Sequence, residues 1–132
     1  MGLVRGTRGY IEKVAHQVNG SYANGWYDAC AVMLRRLLET LIIECYESHK
    51  IESTIKDAAG NYLLLRDLVD RALAEKTWTL GRSVRLVLPK LKDLGDKAAH
   101  NRRYNAHRED IDKIQRDLRE AVQELIALAQ LK

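Results

Sequence analysis

The chain has 132 residues, 46% apolar and 30% charged, with 22 basic and 18 acidic side chains for a net charge of +4. That length supports one domain with a real core, expected over 1–132 with 1–8 as a loose lead-in. No apolar run approaches the roughly 18 residues of a membrane span, and the opening MGLVRG has no apolar signal core, so no membrane association and a cytoplasmic location are expected.

One proline and no phenylalanine suit helices. From Gly9, the residues Tyr10, Ile11, Val14, Ala15 and Val18 recur at helical spacing until Asn19-Gly20, which should stop them. SYANG (21–25) reads as a turn. The strongest helix follows, over 26–47. Cys30, Ala31, Leu34, Leu37, Leu38, Leu41, Ile42 and Cys45 cover one arc of roughly 140°, a core-facing wall. Beside it Asp28, Arg35, Glu39 and Tyr46 form a polar stripe, bordered on its far side by Val32 and Ile43. Such a stripe should line a groove or a homodimer interface, with Arg35 and Glu39 paired at i, i+4. The two cysteines fall about 22 Å apart on this helix, too far to bridge, and are expected as buried thiols.

Residues 48–61 read as a loop, and 62–76 as an amphipathic helix carrying Leu64, Leu65, Leu68, Val69, Ala72 and Leu73. After a connection anchored by Trp78, Pro89 should occupy the first turn of a helix over 89–104. In it Leu91, Gly95, Ala98, Ala99 and Arg102 share one line, and Gly95 implies close contact with the 26–47 helix. A last helix spans 109–131, with Ile111, Ile114, Leu118, Ala121, Val122, Leu125, Ile126 and Ala129 inward. The expected fold is an all-α bundle of about five helices.

Charge singles out 89–108. This stretch holds six basic residues (Lys90, Lys92, Lys97, Arg102, Arg103, Arg108) and two acids, an excess equal to the net charge of the whole chain. A concentrated positive potential favours a phosphate-bearing partner. No glycine-rich phosphate loop, HExxH, CxxC or GxSxG occurs, so neither a metal nor a cofactor is expected. Two side-chain sets are candidates for chemistry. Arg102 and His107 converge if the helix bends or ends between them. Asp96, His100 and Tyr104 share a flank at i, i+4, i+8, where the Asp would hold and polarise the His. The bland alternatives are a helix-capping Arg with a solvated His, and a surface ion pair.

The Arg-x4-His spacing of Arg102 and His107, the segment ACAVMLRRLLETLI (29–42) and the segment LKDLGDKAAHN (91–101) together resemble the HEPN superfamily. The likeness is to a helical domain found alone or attached to restriction and abortive-infection defence proteins, and it extends over about 10–130. It implies a homodimeric, RNA- or nucleotide-binding module of a prokaryotic defence or toxin-type system, with a possible partner protein from that system. In ribonuclease members the Arg and His perform metal-independent cleavage. By that resemblance Arg102 would stabilise charge at phosphorus, His107 would act as general acid or base, and Lys97, Arg103 and Arg108 would hold backbone phosphates. Active members usually place Asn or Asp after the Arg, where this chain has Arg103. That ranks a non-catalytic binding module first, a metal-independent endoribonuclease second and a ligand-free dimerisation domain third.

Overall fold

Helix 26–47 is the hub that its apolar wall implies. The computed structural model describes residues 4–100 and 103–131, and all eight wall residues from Cys30 to Cys45 are buried. In chain order the helices are α1 (Gly9–Ala23), α2 (Tyr27–Ser48), α3 (Leu65–Ala74), α4 (Arg82–His100), α5 (Arg108–Asp112) and α6 (Gln115–Leu128). A single 3-10 turn, Glu52–Ile55, lies between α2 and α3. The described residues form no strand, and their one sheet-like contact is an isolated bridge from Lys56 to Tyr62. The protein is an all-α bundle. No helix among the described residues is long and apolar enough to cross a membrane.

α2 packs against α1, α3, α4 and α6, and α4 also packs on α6. Buried residues from all six helices join one core cluster. Leu34, Leu37, Leu38 and Leu41 are wholly inaccessible, each worth roughly 1.5–3 kcal/mol of burial. The two thiols are embedded at either end of α2. Cys30 donates to the Val18 carbonyl of α1 at 3.7 Å, and Cys45 to the Leu125 carbonyl of α6 at 3.4 Å. Burial, with Glu44 and Glu124 nearby, pushes the Cys45 thiol up to about 12.

Several boundaries differ from expectation, each for a local reason. α1 runs through Asn19-Gly20 to Ala23. Buried Ser21 turns its hydroxyl back onto the Gln17 carbonyl at 2.6 Å, and the helix ends only where Gly25 takes a φ of 75°. α4 begins at Arg82, so Pro89 lies inside the helix rather than in its first turn. Val84, Val87, Leu88, Leu91 and Leu94 are all buried in a continuous 3.6-residue pattern. The burial of five such side chains outweighs the ~3 kcal/mol that an interior proline costs. The expected 62–76 helix shortens to α3, so Leu64 caps it in extended conformation and is exposed rather than inward, and Leu73 is only half-buried. The expected 109–131 helix breaks into α5 and α6 at Lys113-Ile114, yet all eight of its inward residues are buried.

Candidate functional site

The end of α4, the 103–107 segment and the start of α5 place the basic stretch on one corner of the bundle, beside the N-terminal half of α2. Gly95 makes the approach possible. A Cβ built on it would lie 2.8 Å from Arg35 Cβ and 3.1 Å from Arg35 Cδ, so the α4 backbone rests on the stem of the Arg35 side chain. Asp96, one residue on, sets a carboxylate oxygen 3.2 Å from Arg35 Nε. The pair is formed by distance, but Nε itself is buried and makes no aligned hydrogen bond. Among the described residues Arg35 therefore pairs with Asp96 across helices, and no ion pair joins it to Glu39 as expected.

Asp28 is also engaged within the chain. Its Oδ1 accepts the Ala106 N–H at 2.6 Å, tying the segment after α4 to the first turn of α2, and Ala106 itself is buried. Of the polar stripe expected to line a groove or dimer interface, Asp28 and Arg35 meet α4 and the segment after it, Glu39 is half-buried, and Tyr46 is wholly buried in the core rather than at a groove. Of the small-residue line, Gly95 is buried and Ala98 half-buried, whereas Ala99 faces solvent.

Asp110 organises the far side of the corner. Its Oδ2 accepts the His107 N–H at 2.8 Å and the Tyr104 O–H at 3.0 Å. The His107 amide, opposed by some burial and helped by the Tyr104 hydroxyl, holds this carboxyl below the usual range. Burial and the same Asp110 push the Tyr104 phenol up to about 12. Lys97 Nζ lies 5.9 Å from the Tyr104 ring centroid. Arg108 is drawn towards α1, donating from Nε to the Tyr22 hydroxyl at 3.2 Å and standing 3.4 Å from Asp112.

The predicted residues thus separate. Lys97, His100, Arg103 and His107 are exposed at this corner, while Arg108 is exposed but held by Tyr22 and Asp112. Arg102 lies outside the described residues, and with it the expected Arg102–His107 pairing. The Asp96–His100–Tyr104 set is not assembled: Asp96 turns to Arg35 and Tyr104 to Asp110, because each finds a less exposed partner there than an exposed imidazole offers. No group of three or more His, Cys, Asp or Glu side chains that could hold a metal ion is present among the described residues. Sequence reasoning did not reach the bonds made by Asp28 or Asp110. The Asp28–Ala106 contact spans 78 residues and has no local signal. An Asp three residues after His107 is a legible helix-start pattern, since a carboxylate there can accept the amide at the helix entry.

Compared with protein-family models, with curated proteins and with solved structures, the chain matches none of them.

Proposed function

We propose that this chain is a HEPN-like, non-catalytic RNA-binding module that captures the phosphate backbone at the α4–α5 corner. One observation carries the reading. Asp28, Asp96 and Asp110, three carboxylates in and beside the basic stretch, are turned onto partners within the protein, while Lys97, His100 and His107 are exposed. With these three acids engaged in holding the corner together, Asp93 and Glu109, which are exposed, are outnumbered by the six cations of the stretch, so the field presented outward is positive.

Lys97, Arg102 and Arg103 supply the main charges, and neutralising about three phosphates of a single strand gives a salt slope near ~2. The test is fluorescence anisotropy with single-stranded RNA over a range of salt, without added metal, for wild type and for Lys97→Ala, Arg102→Ala and Arg103→Ala. Weaker binding with a shallower salt slope in each variant supports the module. Absence of RNA binding by wild type refutes it. Cleavage by wild type that is lost in Arg102→Ala and His107→Ala but kept in His100→Ala replaces it with the ribonuclease reading.

A further inference from the structure

A cavity of about 550 Å³ opens between the last turns of α1 and the first turns of α2. It falls within the roughly 300–1,000 Å³ typical of small-ligand sites. Val32 and Met33 contribute to its wall, His16 and Gln17 edge it with polar groups, and Trp26 and Asp28 complete the side towards α2. Trp26 is 63% exposed, a large aromatic surface left to solvent in a chain whose other tryptophan, Trp78, is 8% exposed. Its backbone is nevertheless fixed. The Trp26 N–H bonds the Ser21 carbonyl at 2.8 Å, and its own carbonyl accepts the Cys30 N–H at 2.9 Å. The indole is a platform on a pinned backbone rather than part of a loose loop.

The position of the cavity suggests what it holds. Asp28 both lines it and accepts the Ala106 N–H, so the cavity and the 103–107 segment share a residue. A ligand reaching from the basic corner into the cavity would carry negative charge at one end and a flat, weakly polar group at the other. That is the chemistry of a nucleotide within a single strand. We infer that the Trp26 cavity receives one unstacked nucleobase of a single-stranded RNA, stacked on the indole, while the α4–α5 corner holds the neighbouring phosphates. The inference rests on the RNA-binding reading above and adds to it a base subsite. Every base presents a π-face, so stacking of this kind tolerates different sequences. His16 and Gln17, both exposed, are placed to hydrogen-bond a base edge.

The experiment titrates the full chain with single-stranded oligo(A), with an abasic oligomer of equal length and with inorganic polyphosphate, reading both anisotropy and tryptophan fluorescence. Trp78 is buried and gives a steady background, so quenching reports Trp26. Wild type should bind oligo(A) about 5- to 150-fold more tightly than the abasic oligomer, with quenching only by oligo(A). Trp26→Ala should bring the two affinities together, and Trp26→Phe should keep most of the preference. Trp26 is mostly exposed, so neither variant should fail to fold. Equal affinity of wild type for both oligomers, with Lys97→Ala still weakening both, overturns the base subsite and leaves the phosphate reading standing. If no oligomer and no polyphosphate binds, both readings fall. A dimer by light scattering that Trp26→Ala converts to monomer, with oligo(A) affinity unchanged, assigns the face to a second copy and also overturns the inference.

Discussion

Replacing Gly95 by Ala sets two terms of known sign against each other. An interior helical Gly→Ala change ordinarily stabilises by ~1 kcal/mol. Here the added methyl would meet Arg35 Cβ at 2.8 Å and Arg35 Cγ at 3.3 Å. The distal carbons can swing away, but Cβ is fixed to the α2 backbone, so the helices must separate or α4 must rotate. Overpacking of this kind costs ~1–3 kcal/mol. Displacing the partly exposed Arg35–Asp96 pair costs up to ~1 kcal/mol more. The expected net is a loss of about 1–2 kcal/mol, or about 4–8 °C in Tm for a chain of this size. Thermal and urea denaturation followed by far-UV circular dichroism measure both. Removing the opposing carbons with Arg35→Gly should reverse the sign, so that Gly95→Ala stabilises in that background. If Gly95→Ala stabilises the otherwise unchanged protein by ~1 kcal/mol, the close approach of α4 to α2 is refuted.

Asp28→Ala should cost about 1–2 kcal/mol by leaving the Ala106 N–H without its acceptor, and hydrogen exchange should speed up at Ala106 before it does in α6. Asp110 titrates below its ordinary value, so its contribution is complete above about pH 4 and disappears as pH falls towards the lowered folded value. Asp110→Asn should therefore be less stable at neutral pH and should lose less on acidification, read from urea midpoints across the acid range. Tyr62 and Tyr104 are both pushed up to about 12. Their contribution is complete below the unfolded tyrosine value of about 10 and fades as pH rises past it. A Tyr62→Phe, Tyr104→Phe double variant should show a flatter alkaline limb in the same assay.

The hydrophobic period carried most of the fold. The α2 wall and the inner face of α5 and α6 were legible residue by residue, because burial repeats at helical spacing whatever the tertiary partner. Breakers misled where local chemistry or packing overrode them. Asn19-Gly20 read as a stop, yet Gly20 has no positive φ and Ser21 continues the helix. Pro89 read as a start, yet Val84 and Val87 already belong to the same buried face. At the corner, the exposed cations could be read from charge density alone. Their acidic counterparts could not, because Asp28 and Asp96 find partners 78 and 61 positions away in sequence, and the stripe that Asp28 forms with Arg35 on α2 names no partner element by itself.

The two buried thiols of α2 also make the bundle a clock for its own opening. Cys30 lies under α1 and Cys45 under α6, each against a carbonyl of the covering helix. Neither sulfur can meet a modifying reagent until that helix lifts. Labelling rates for the two single-cysteine variants therefore time the detachment of α1 and of α6 separately. Equal rates would mark one cooperative unit that opens as a whole. Faster capture of Cys30 would make α1 the first part to leave, which would strip the Trp26 cavity of its His16–Gln17 wall and free Arg108 from Tyr22.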